Sequence, residues 1–218
     1  MSISTENFIK TIYQLDESPA IKLNSTELAA KLKISKAAVT DMLKKLGDQG
    51  LVIYEKYSRP TLTNAGRTWA LKIVRKHRLW ETFLQNHLNI PWEKIHNEAE
   101  KLEHASSDYL TDYLEKFMDY PSIDPHGDPI PDKSGNLPYI ENQLLLADVK
   151  TSGNYRISRI TDHDPNLIEF LKKHQLGPDS QIKIKISDNQ FPGVIFYKKQ
   201  KIKITGNLDK MIFVEPQE

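Results

Sequence analysis

Apolar positions at Phe8, Ile9, Ile12, Tyr13 and Leu15 recur at helical spacing, and the run closes at Asp16-Glu17-Ser18-Pro19, where proline opposes continuation. Asn24-Ser25-Thr26 offers capping side chains ahead of Leu28, Ala29 and Leu32, which predicts a short second helix. Beyond a tight turn at Ile34-Ser35, Ser35 caps a third helix from Lys36 to Asp48 that buries Val39, Met42, Leu43 and Leu46 and exits at Gly50. Leu51 to Tyr54 and Thr61 to Thr63 read as two short strands around the polar tip Glu55 to Pro60. Helix, short helix, turn, helix and hairpin in this order predict a winged helix-turn-helix.

From Asn64 a long helix carries Ala65, Trp69, Ile73, Leu79, Trp80, Phe83 and Leu84, with Thr63 or Asn64 as its cap. Pro91 opens a further helix through His104, and Asp108 to Met118 forms another. Asp119 to Tyr139 is too rich in proline, glycine and aspartate for regular structure and is expected to be a long loop. Alternation then predicts strands at Tyr155 to Ile160, Gln181 to Ile186, Val194 to Tyr197, Lys201 to Ile204 and Lys210 to Val214, with one helix at Asn166 to His174. The expected fold class is mainly α with a small β domain. It comprises a winged helix-turn-helix over 1–72, a helical domain over 73–140 and an SH3-like (FeoA-like) β-barrel over 141–218.

Charge changes this picture more than composition does. The net charge of +1 conceals a division: twelve basic and three acidic side chains lie between Lys31 and Arg78, four basic and fourteen acidic between Glu81 and Asp148. A basic N-terminal lobe suits double-stranded DNA, and an acidic middle attracts cations. The outward face of the third helix, with Ser35, Lys36, Ala37, Thr40, Asp41 and Lys44, has the small and basic residues that major-groove approach needs, and Lys56 and Arg59 at the wing reach for the backbone. The chain has no cysteine, no basic leader and no apolar run of membrane-spanning length, so a cytoplasmic protein without a membrane partner is expected.

His77 and Glu81 project from one helical face at i, i+4, and His96, Glu100, Glu103 and His104 form a stripe on the next helix. Oxygen and imidazole donors without a thiolate suit Mn2+ or Fe2+. Asp124 and His126 in the loop join such a set only if the loop curls. With no phosphate loop or nucleophile elbow, neither enzymatic activity nor a small-molecule substrate is expected. A metal hydrolase and a metal-independent DNA-binding regulator are the rival readings.

The segments Val74-Arg75-Lys76-His77-Arg78-Leu79-Trp80-Glu81 and Ile95-His96-Asn97-Glu98-Ala99-Glu100-Lys101-Leu102-Glu103-His104, in this order of elements, resemble the diphtheria toxin repressor family, its manganese-responsive branch above all. The resemblance covers essentially the whole chain. It implies a homodimeric, metal-activated repressor of metal-homeostasis genes that binds palindromic operators, with Mn2+ as effector and Fe2+ as the alternative. It assigns Glu100, Glu103, His104, Asp124, His126 and Asn7 to a primary metal site, and His77, Glu81, His96 and Asp162, with Asp164 in reserve, to a second. Two departures stand out: Asn7 replaces an aspartate or methionine, and Lys10 replaces the glutamate of compact two-domain manganese regulators, which argues for two separated sites. Trp80, Phe83, Leu84, Leu110, Tyr113, Leu114 and Phe117 exceed the needs of a small core and are expected partly to line a dimer interface.

Overall fold

The computed structural model describes residues 2–17, 23–55, 58–161, 164–186 and 193–217. Three helices, α1 (Ile3–Glu17), α2 (Ser25–Leu32) and α3 (Lys36–Asp48), precede a hairpin of β1 (Val52–Ile53) and β2 (Thr61–Leu62), as the sequence pattern requires. Asn24 accepts from the amides of Thr26 and Glu27, and Ser35 from that of Ala38, so both caps expected of the sequence form. Phe8, Ile9, Ile12, Leu28, Val39, Leu43 and Leu46 share one core, which also takes Ala70, Leu71 and Val74 from α4 (Asn64–Asn86). Met42, expected inside, is only half-buried. Gly66 lets α4 seat against the hairpin, because a Cβ there would lie 2.0 Å from the Leu51 carbonyl oxygen.

The 23 residues of α4 make a rod of roughly 35 Å, long enough to serve two cores. Its second half packs on α5 (Trp92–Ala105) and α6 (Asp108–Phe117), with Leu79 meeting Leu114 and Ile130, and Leu84 meeting Ile95 and Ala99. Leu84 and Leu114, expected as candidates for an interface, are therefore core residues. The proline-rich loop is irregular, as expected, but it curls: the Asp124 carboxylate accepts from the amides of His126 and Asp128 at 2.9 and 2.8 Å. The amide of Ile160 donates to the His126 carbonyl at 2.8 Å, fixing the loop to the C-terminal sheet.

That sheet is built from β3 (Leu144–Leu145), β4 (Gly153–Ile160), β5 (Gln181–Ile184), β6 (Val194–Tyr197), β7 (Gln200–Lys203) and β8 (Ile212–Gln217). The order is β3-β8-β4-β5-β6-β7, all antiparallel and not closed, which fits an SH3-like fold. Alternating Tyr155, Ile157, Ile182, Ile184, Ile195 and Ile202 pack with Leu167 and Leu171 of α7 (Pro165–His174) beneath it. Two strands differ from expectation. β3 is a two-residue pairing too short to show a period, and β8 is displaced because Leu208–Lys210 takes a 3-10 turn before it.

Candidate metal centre

Three segments converge on the middle of α4. His77 and Glu81 lie one turn apart on its inward face, and α5 presents His96, Glu100, Glu103 and His104 opposite them. α1 brings Glu6, Asn7 and Lys10, and the curled loop brings Asp124 and His126. His77 is the hinge of the arrangement: its Nδ1 stands 2.5 Å from Glu103 Oε2, and its Nε2 stands 3.0 Å from Glu81 Oε1 and 3.1 Å from His96 Nδ1.

Among the described residues, ligand-type atoms within 4.8 Å of one another form three groups: His77, His96 and Glu100; Glu81, Asp124 and His126; and Glu100, Glu103 and His104, the first and last sharing Glu100. Asp124 and His126 thus gather with Glu81, rather than with Glu100, Glu103 and His104 as the resemblance implied. The reason is the curl at Asp124, which turns His126 inward until its Nδ1 lies 3.5 Å from Glu81 Oε2. Asp164 belongs to none of the three groups; its carboxylate caps α7 by accepting from the amide of Asn166 at 2.8 Å. Asp162 lies outside the described residues. Asn7 is half-buried on α1, and its Oδ1 has no hydrogen-bond partner among the described residues.

Glu6 had no role in the sequence reading of the site, and Lys10 entered it only as a replacement for a glutamate. Glu6 holds His104 Nδ1 at 2.7 Å, and Lys10 donates to Glu103 Oε1 at 2.7 Å and to Oε2 at 2.9 Å while also contacting Glu100. Their signal was helical spacing: Glu6, Asn7 and Lys10 sit at i, i+1 and i+4, one patch of α1.

The electrostatics are those of crowded carboxylates in low dielectric. Burial, then Asp128 and Glu81, raise the Asp124 carboxyl well above the usual range. Burial would lower the His77 imidazole, but Glu81 and Glu103 carry it up to about 9. Burial opposes ionisation of Glu100, yet Lys10 and His77 hold it below the ordinary value. Arg78, whose Nη2 is 3.4 Å from Asp128 Oδ1, supplies part of the compensation around the loop. Glu81, Asp124 and His126 are all buried, at 1%, 6% and 1% exposure. Two buried carboxylates and an imidazole, one carboxyl already pushed towards protonation, make a donor set that fits a divalent cation with a preference for oxygen and nitrogen.

In the N-terminal lobe, α3 leaves Lys36, Ala37, Asp41 and Lys44 exposed, and the Thr40 hydroxyl donates back to the Lys36 carbonyl at 3.0 Å. Ser35 is committed as the cap. Arg59 is paired with Asp16 of α1, and Lys56 lies outside the described residues.

Residues 1–59 match the N-terminal DNA-binding domain of the iron-dependent repressors, and residues 63–132 match their metal-binding and dimerisation domain. The chain is also similar over its full length to a solved structure of the manganese regulator SloR, at 32% identity, with 100% of both chains covered and a TM-score of 0.84. It belongs to the iron-dependent repressor family, that of the diphtheria toxin repressor. The diphtheria toxin repressor of Corynebacterium diphtheriae is 34% identical over 128 residues, 59% of this chain and 56% of that protein, so the match spans about half the length of such curated relatives. A structure of ScaR with bound Zn2+ is similar too, at 33% identity, covering 98% of this chain and 99% of that one, with a TM-score of 0.83. The family consists of transcriptional repressors, and this member carries both its DNA-binding and its metal-binding and dimerisation domains. Among the described residues no helix is long and apolar enough to cross a membrane.

Proposed function

We propose that the chain is a cytoplasmic, metal-activated transcriptional repressor, without enzymatic activity, that binds palindromic operator DNA as a homodimer. Mn2+ is the effector and Fe2+ the alternative. The manganese regulators among the full-length structural relatives support the first ion, and the iron-dependent family models the second. The observation that carries the reading is the buried convergence of Glu81, Asp124 and His126 where α4, the curled loop and the end of β4 meet.

Glu81, Asp124 and His126 would hold the ion, with His77 and His96 beside them as the link to α5. When bound, the cation supplies positive charge to a site in which burial otherwise drives the Asp124 carboxyl towards protonation. The chain's own residues do the rest. α4 runs unbroken from the hairpin to this centre, so the packing of α1, α4 and α5 fixes how each reading helix α3 is presented to DNA. Coupling of about 1 to 3 kcal/mol between ion and operator corresponds to roughly 5- to 150-fold tighter binding.

The homodimer would form through α6, whose Tyr109, Leu110, Tyr113 and Phe117 are exposed along one side, with half-buried Trp80 and Phe83 behind them. Large apolar side chains exposed together at helical spacing mark an interaction face. In this reading the functional units divide at 1–72, 73–140 and 141–218, and Lys36, Ala37, Thr40, Asp41 and Lys44 face the major groove.

The test is binding of the purified chain to palindromic DNA selected from random sequence, titrated with Mn2+, Fe2+, Zn2+ and chelator at fixed salt. Binding that tightens with Mn2+ and is lost with chelator is expected. Chelator-insensitive binding would establish the metal-independent regulator instead, and absence of DNA binding would overturn the reading.

A further inference from the structure

The residues that gather around Glu103 do not fit a divalent ion as they stand, because a cation is already built into the chain there. Lys10 is 2% exposed on α1, and its ammonium donates to both oxygens of Glu103, at 2.7 and 2.9 Å, and touches Glu100 Oε1. Glu103 is itself 2% exposed, and its Oε2 is shared with His77 Nδ1 at 2.5 Å. Both oxygens of the central carboxylate, and one of its neighbour's, are therefore spoken for by groups of this chain. An ion bound to the same oxygens would stand within roughly 2.0 to 2.6 Å of them. That is the space the ammonium fills, and two cations so close in low dielectric repel strongly.

We propose that Lys10 is a resident cation that takes the place of a divalent ion between Glu100 and Glu103, and so ties α1 to α5 whether or not metal is present. Three facts converge on this. A buried ammonium is tolerated only with carboxylate partners, and Lys10 has two. The neighbouring acid Glu6 is turned to His104 Nδ1 at 2.7 Å, so the remaining member of the Glu100, Glu103 and His104 group is likewise engaged by α1. Asn7, on the same patch, contributes a neutral amide and no further negative charge for a divalent ion.

The inference rests on the metal-activated reading for its consequence, which is a division of labour. The contact between α1 and the helical domain is permanent, and metal responsiveness is confined to the Glu81, Asp124 and His126 group. Compared with a chain offering a carboxylate at position 10, fewer ions bind per protomer and part of the ordering of the DNA-binding domain no longer depends on metal.

The experiment counts Mn2+ bound per chain by elemental analysis after equilibrium dialysis of the full chain, with titration calorimetry for affinity. The wild type, Lys10→Met, Glu103→Gln and the double variant are compared. Lys10→Met keeps length and burial while removing the charge, and it is expected to bind one more Mn2+ per chain than the wild type. The added site disappears in the double variant, whereas Glu103→Gln alone leaves the wild-type count unchanged. Loss of an ion in Glu103→Gln alone would show that Lys10 yields its place to metal and would overturn the proposal, even if Lys10→Met failed to fold. Equal counts in wild type and Lys10→Met would overturn it as well. Should the wild type bind no Mn2+ while Lys10→Met gains one, the resident cation stands and the metal-activated reading falls.

Discussion

The α-carbon of Gly127 is packed so tightly against the Ser158 carbonyl that a Cβ on it would lie 1.9 Å from that oxygen and 2.8 Å from Arg159 Cα. The residue also has φ +86°, a backbone conformation that glycine adopts without strain. The loop bearing Asp124 and His126 is thereby seated on β4 by close backbone packing, beside the pairing of Arg159 Nε with Asp128 Oδ1 at 2.6 Å. Gly127→Ala is expected to lift the loop from the strand and weaken Mn2+ binding by at least about tenfold, the scale of one misplaced ligand partner. Calorimetric titration reads this, and an unaltered affinity would mean that the loop is not what positions the ligands.

Glu81→Gln removes one charge from the buried Glu81, Asp124 and His126 group and keeps its shape. Loss of the metal response is expected, by roughly 100-fold or more in affinity, since even outer partners of a ligand contribute about 10- to 100-fold. Metal-free stability shifts in two opposed directions, because Asp124 is relieved of a repelling neighbour while the buried His77 imidazole loses the carboxylate that favours its protonated form. Thermal unfolding with and without Mn2+ measures both: the wild type gains in Tm on adding the ion and the variant does not.

Lys44 stands exposed on α3 and pairs with no carboxylate among the described residues, which suits the phosphate contact proposed for it. Lys44→Gln is expected to weaken binding to operator and to unrelated DNA alike and to lower the slope of log affinity against log salt by about 1. A loss confined to one operator base position would place Lys44 on a base edge instead.

Tyr113 is 56% exposed beside Tyr109, their rings 4.8 Å apart, on the apolar side of α6. Tyr113→Glu would put a charge in the middle of the proposed self-complementary face. Sedimentation should show a shift from dimer to monomer at micromolar concentration with folding intact, and a dimer that persists would move the interface elsewhere.

The elements were legible in the sequence wherever a period ran long enough to read. α3 spans the expected Lys36 to Asp48, and the caps at Asn24, Ser35 and Thr63 each accept the amides they should. β3, two residues long, offered no period, and the register of β8 depended on a 3-10 turn that no local pattern announced. Within the site, the i, i+4 pairing of His77 with Glu81 and the stripe on α5 could be read because helices fix which side chains share a face. The grouping of Asp124 and His126 with Glu81 could not, since it depends on the direction in which an irregular loop curls. Lys10 was legible as a departure but not as the partner of Glu100 and Glu103, because a lysine reads as solvated until a tertiary contact supplies the carboxylates that permit its burial.

α1 also has a second attachment. Six residues beyond Lys10, Asp16 pairs with Arg59 at the base of the wing, so one helix touches the ion-binding lobe and the hairpin at points roughly 9 Å apart. On a rigid rod those two contacts are locked in phase as well as in distance. One residue inserted between Ile12 and Leu15 would rotate Asp16 by about 100° away from the wing while leaving every side chain around Glu103 in place. The repressor would still be assembled around its carboxylates, but its two ends would no longer share a common bearing.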